Sequence, residues 1–555
     1  MVDAAIDADD FTDAALDAED LTDAAVDARD FTDAAIDAGM DAPSGMCPAP
    51  PAPPAASAVI GAGGGTLALG AAARLVVPAG ALAADTTITL RPIPLELAHT
   101  ERALTAVYEL GPGNLSFAVP ATLTVDLGAL PPMPDEVALR LGPASGPFST
   151  AATTRTGTAY AAAVSGATLG FGARTSAPPA ATSTCAPTAT PDDTFALFQN
   201  ASNGNNYFTT HALPMGNGFA AIATHQQDAL WNVFSHGFTS AGASIGTVNL
   251  TGNVIHSIFG GFAAPVGTEI LVAYDSNQTQ GSEIWVARKS ATGTTIGTPV
   301  RISEDPTLLS QRPQLVPLPG GGAFVAWIAR HPLNPIVYLR AAMLDSSLAV
   351  QRRFDVTPTT GITHVPTGIA LVGSSAGVGL VWSWSMSNGT THGVRYQGFS
   401  TAGCPLTSVI EVSSGFIVAE EVSAVLTGDD VIIAASGNTA LGQPRVARLR
   451  VVHLSTGLLG ATRVLGDVAM THAGLARHAG GYQLAGVSGG IVHRWLGPEL
   501  DARSALTPIA GTSGISRAPS IATSSTGDAA MVTWIEYVNG GSTARGRVRF
   551  ASCTP

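Results

Sequence analysis

The chain has 555 residues, 46% of them hydrophobic and 12% charged, with a net charge of −14. Residues 1–42 hold thirteen aspartates and Glu19 against the single Arg29, so nearly all of that charge sits in the first 42 residues and the remainder is close to neutral. No basic patch is left to meet a phosphate backbone, which excludes nucleic acid as a partner.

The N-terminus repeats one ten-residue phrase four times between Asp3 and Ala42, with Ile6, Phe11, Leu16, Leu21, Val26, Phe31 and Ile36 recurring every five residues. A spacing of five scatters around a helix and alternates faces on a strand, so neither buries these side chains. Aspartates three or four apart repel one another in a helix. We therefore expect residues 1–42 to be a solvated, disordered acidic spacer. The abundant oxygen ligands suggest a calcium site, but the Asp-x-Asp-x-Asp-Gly spacing that wraps one ion is absent.

Two Pro/Ala/Ser/Thr stretches, 43–56 and 175–192, read as linkers. They delimit a first domain over 57–174 and a second over 193–555. Glycine (62) and proline (37) are in surplus, as many short strands joined by tight turns require. We expect an all-β protein.

The first domain opens on "AVIGAGGGTLALG". Its glycines suggest a dinucleotide loop, but Thr66 stands where the third glycine belongs, and strand-like alternation follows where a helix would be needed. We expect no cofactor. The segment "GGGTLALGAAARLVVPAGALAADTTITLRPI", continued by "YELGPGNLSFAVPATLTVDL", resembles a ZU5-type β-sandwich module over roughly residues 60–128. The resemblance implies a non-catalytic interaction module of the kind found in surface lipoproteins of GC-rich bacteria. No self-cleaving partner segment follows it.

In the second domain one apolar phrase recurs: "GFAAIATH", "TEILVAYD", "GAFVAWIA", "VGLVWSWS", "DVIIAASG", "GYQLAGVS" and "AAMVTWIE". Aligning Thr224, Tyr274, Trp327, Trp382, Ala435, Gly486 and Trp534 gives spacings between 48 and 55 residues. Each phrase has a strand-like segment before it and, in most units, two after it. Four antiparallel strands per unit bury both faces only when stacked around an axis. We expect a β-propeller of seven blades, with six or eight as the alternatives. The last unit lacks a fourth strand, and "DTFALFQN" (193–200) is the unused segment that would supply it.

Catalytic motifs are weak. Ser244 and Ser375 sit in Gly-x-Ser-x-Gly sequences, but between strands, where glycine and serine are ordinary turn residues. No histidine pair has metal-ligand spacing. Residues just before the inner strands would ring the mouth of the channel, which selects His256, Arg312, His364, Glu421, His472 and Arg517. Arginine and histidine there favour an anionic or polyhydroxylated ligand. A glycan or a protein is the expected class of partner, and a monomer the expected state. The runner-up readings are a propeller hydrolase acting on extracellular polysaccharide and a structural envelope protein.

Four cysteines, Cys47, Cys185, Cys404 and Cys553, permit disulfides in an exported protein. Closing the last blade with 193–200 would bring Cys185 beside Cys553; the rival pairing is Cys47 with Cys185. No membrane-spanning stretch stands out, since the most apolar region, 55–84, is broken by glycines and Arg74. We expect an extracellular or cell-surface location, with the export signal or lipid anchor upstream of Met1 or already removed.

Overall fold

The computed structural model describes residues 47–49 and 55–554, apart from 94, 96–102, 129–133, 144–146, 177–183, 188–194, 201–208, 228–229, 253–259, 277–281, 306, 332–336, 358–363, 387–391, 417, 439–444, 466–469, 479, 511–518, 525 and 539–542. The acidic repeat lies outside the described residues.

Residues 56–174 form two antiparallel sheets. One runs in the order Ala56–Ile60, Thr86–Ile93, Val107–Gly111, Thr168–Arg174, Val137–Gly142, Ser149–Thr150. The other runs Gly65–Leu69, Ala73–Val77, Ser116–Asp126, Ala159–Gly166, Thr153–Thr156. Alternation decides which face is buried: Ala73, Leu75 and Val77 point inward while Arg74 and Val76 face solvent. Leu75, Ile88, Leu123 and Leu139 are fully buried in one apolar cluster drawn from both sheets. The glycine-rich opening is a tight turn between two strands, with Gly64 at φ 75°. A Cβ there would lie 2.5 Å from the Val77 carbonyl oxygen, so this glycine serves backbone packing.

The second domain is a propeller of seven sheets, each antiparallel. Their innermost strands are Thr210–Met215, Gly261–Val266, Leu309–Pro317, His364–Ser374, Val418–Thr427, Thr471–His478 and Ser520–Thr523, which we number as blades 1 to 7. Each innermost strand adjoins those of its neighbours, and that of blade 7 adjoins that of blade 1, so the ring closes. The recurrent apolar phrases are the second strands, buried on both faces, as Ala323–Ala329 shows. Trp327 packs against Leu271 and Val286 of blade 2, Trp382 against Phe324 and Leu339 of blade 3, and Trp534 against Trp495 of blade 6. These tryptophans are the wedges between blades, and none faces the channel.

Blade 7 is completed from the other end of the domain. Its last strand, Thr543–Thr554, pairs with Phe195–Asn200 and, further along, with Thr184–Pro187. The second of these pieces falls inside the stretch 175–192 that composition assigns to a linker. Its few residues satisfy the remaining edge of a twelve-residue strand, a pairing that composition does not register. Cys185 stands opposite Cys553 in this register, and Cys553 is disulfide-bonded. Cys47 is bonded to Cys404, which removes the rival pairing of Cys47 with Cys185.

The sandwich meets the propeller at turns between third and fourth strands. Cys404 lies in that turn of blade 4 and Glu499 in that of blade 6, where the carboxylate receives Nε of Arg174 at 2.6 Å and a second bond from Nη2. The sandwich core continues into Ile410 and Leu454 at the corresponding turns of blades 4 and 5. In a four-stranded antiparallel blade those turns lie on the face opposite the inner-strand starts, so the docked domain leaves the channel mouth uncovered. Glu499 also holds Arg174 more firmly protonated, chiefly through the hydrogen bond. Arg174→Met should cost about 1–2 kcal/mol in a urea melt, because it removes two charge-assisted hydrogen bonds to Glu499, whose side chain is 15% exposed.

No helix among the described residues is long and apolar enough to cross a membrane.

Candidate ligand site in the propeller channel

The inner strands of all seven blades enclose a cavity of about 270 Å³. Its wall is irregular for one recurring reason: several inner strands carry an extra residue near their start. In blade 3, Gln311 pairs with Ile328 and Gln314 with Ala326, so Arg312 and Pro313 together oppose Trp327. In blade 6, His472 and Ala473 oppose Gly486 in the same way. Blade 4 bulges at Thr367, and blade 5 between Ala419 and Val422. Such bulges turn a side chain out of its strand's alternation.

The extra residue forces an unusual backbone. Arg312 has φ 53° and His472 φ 55°, and Gly260, just before the inner strand of blade 2, has φ 124°. A glycine holds that conformation freely, whereas a side-chain-bearing residue pays about 1 kcal/mol for it. Surrounding bonds hold both in place. Arg312 donates from Nη1 to the Thr367 carbonyl oxygen at 2.9 Å, bridging blades 3 and 4. The His472 amide donates to Oγ of Ser436 at 3.0 Å, and its Nδ1 lies 3.1 Å from Oγ1 of Thr471.

Ser436 belongs to a set of fully buried hydroxyls on the second strands. Thr224 accepts from the Gly261 amide at 3.0 Å, and Ser383 lies 2.9 Å from Oγ1 of Thr367. These hydroxyls satisfy backbone and side-chain groups that the bulges take out of the ladder. Their sequence signal is one polar residue inside an otherwise apolar phrase, which is easily taken for ordinary strand variation.

Arg312 therefore lies within its inner strand rather than ahead of it, and so do His472, His364 and Glu421. The extra residue extends pairing past the position where alternation from the second strand would end it. His364 is the first residue of its strand, and Glu421 falls within the blade 5 bulge; of these two only the backbone is described. His256 and Arg517 lie outside the described residues. Among the described residues lining the cavity, Arg312 is the one permanently charged side chain. Gln314, His211 and Phe262 also line it, and the rings of His211 and Phe262 meet edge to face at 4.7 Å. All three lie inside their strands, past the strand starts: Gln314 follows the blade 3 bulge, and His211 and Phe262 are the second residues of regularly paired inner strands.

The other candidate chemistry is dispersed. Ser244 begins the outer strand of blade 1 and Ser375 occupies an exposed hairpin turn of blade 4. Glu304 is paired with Arg353, and Asp429 with His453. No group of three metal-ligating side chains occurs among the described residues.

No family model and no curated protein matches the chain. Among solved structures, it is similar to an α-L-arabinofuranosidase from Fusarium graminearum at 14% identity and a TM-score of 0.38, covering 52% of this chain and 91% of that one. A protein of unknown function from Dyadobacter fermentans gives 14% and 0.38, covering 53% and 94%. A polysaccharide lyase gives 8% and 0.40 over 66% and 94%.

Proposed function

We propose that this chain is an exported, cell-surface binding protein. In this reading the acidic repeat is a spacer, the ZU5-like sandwich an interaction module, and the propeller presents a site for a glycan or another anionic or polyhydroxylated ligand at its channel mouth. The observation that carries the reading is the bulge at Arg312, where a charged side chain is held in a left-handed backbone conformation on the wall of a cavity; the matching bulge at His472 stands next to Ala473 of that wall. Strain of that kind is kept where the surrounding structure enforces it, which is common at ligand sites. A disulfide joining Cys47 and Cys404 supports an oxidising, extracytoplasmic compartment.

Hydrolysis of a glycosidic bond requires two carboxyl groups flanking it, and the described lining residues supply a cation and neutral polar groups instead. A glycan array combined with a hydrolase screen on the full chain separates binding from catalysis. Arg312→Ala should weaken ligand binding at least about tenfold, the loss of one charge-assisted hydrogen bond, without lowering the melting temperature by more than a few degrees. Affinity unchanged in that variant, or in its double with Arg517→Ala, would remove the site from the channel mouth.

A further inference from the structure

The two polar side chains on the inner strand of blade 3 point to the ligand's chemistry; this inference rests on the channel reading above. Several hydroxyls around the cavity are already committed to its wall. Thr367 is bonded to Ser383, Ser423 accepts the Leu475 amide at 3.0 Å, and Ser520 accepts the Ala212 amide at 2.9 Å. Gln314 differs from them. It is half-buried and lines the cavity, yet among the described residues its side-chain amide has no hydrogen-bond partner. An amide offers two donors and an acceptor, so an uncommitted one in a cavity wall is suited to a hydroxyl, which both donates and accepts.

Arg312 stands two residues away on the same wall, fixed by its bulge and by the bond to Thr367. Its planar fork matches a carboxylate better than a lone hydroxyl. His211 and Phe262 line the same cavity, and their edge-to-face rings give a surface against which the C–H face of a sugar ring packs. A cavity of about 270 Å³ lies just below the range of drug-sized pockets, a size for one small ring rather than a stretch of polymer.

We infer that the channel recognises a pyranose bearing a carboxylate, a hexuronate unit. Its carboxylate would sit on Arg312, a neighbouring hydroxyl on Gln314, and its ring face against His211 and Phe262.

Isothermal titration of the full chain with glucuronate, galacturonate, glucose, galactose and the methyl ester of glucuronate tests this. The free uronates should bind at least tenfold more tightly than the neutral sugars, and the methyl ester should fall to the neutral level. Arg312→Gln should bring the uronates down to that level as well. Gln314→Leu should weaken acidic and neutral sugars alike, about fivefold. The ester needs no change to the protein, so it decides the matter even if a variant misfolds. Equal binding of ester and free acid, or of neutral and acidic sugars, would overturn the uronate assignment while leaving the channel site standing. No binding by any of them, or binding that both folded variants leave intact, would bring down the channel reading too.

Discussion

Cys553→Ser is expected to lower the stability of the propeller by about 4 kcal/mol, the upper part of the range for removing a native disulfide. Cys553 is disulfide-bonded, 5% exposed, and lies on the strand that closes the ring, with Cys185 as its cross-strand neighbour. A bridge at this position joins the two ends of the domain, so it restrains a very long loop in the unfolded chain. The substitution also leaves a hydroxyl in an apolar cluster containing Trp495 and Trp534. Cys404→Ala gives the comparison, because that bridge ties the N-terminal segment to a turn and no blade depends on it for its strands. Guanidinium unfolding followed by tryptophan fluorescence should show the larger shift for Cys553→Ser. Equal shifts, or the reverse order, would mean that strand pairing alone closes the ring.

Acidification should unfold the propeller through two histidines that face neither the channel nor the solvent. Burial pushes His236 down to about 4, with its neighbour His225 adding to the effect, and burial alone pushes His493 down to about 4. His493 is fully buried and bonds through Nε2 to Oε1 of Gln483 at 3.2 Å, while Nδ1 of His236 lies 2.9 Å from Oγ1 of Thr247. In the unfolded chain both rings return to a pKa of about 6.5. The folded state holds them neutral, so stability is complete above that value and falls as the unfolded state takes up protons the native state refuses. Each histidine should cost about 2.5 kcal/mol by pH 4.5. Urea melts at pH 7.5 and 4.5 read the loss directly. The double variant His236→Gln with His493→Gln should be less sensitive across that interval by about 5 kcal/mol. Carboxylates lose their ion pairs in both proteins and cancel in the comparison. An unaltered pH slope would show that these rings are not what acid attacks.

Gln314 shows where reading the chain alone stopped. Its place on the cavity wall follows from a bulge just before it, and a bulge leaves no compositional trace. Arg312 reaches the cavity wall because an extra residue turns its backbone left-handed, whereas His472, on the same kind of bulge, stands next to the lining residue Ala473. Thr184–Pro187 was read as linker because short Pro/Thr-rich segments carry no periodicity, and only a partner strand gives them an edge to pair with.

The information carried along the chain is local or periodic. Alternation in "ARLVV" specifies a half-buried strand, and apolar phrases recurring every 48 to 55 residues specify blades that must stack, because a single four-stranded unit leaves its faces exposed. The unmatched last unit even specified that residues near 195 would return to complete it, since an open edge is costly. Other features depend on groups far apart in the chain: the Cys47–Cys404 bridge, the seat of the sandwich on the face away from the mouth, and the meeting of Arg312, Gln314, His211 and Phe262 around one cavity. These are set by ring closure and by the geometry of each bulge, and a periodic pattern carries information about neither.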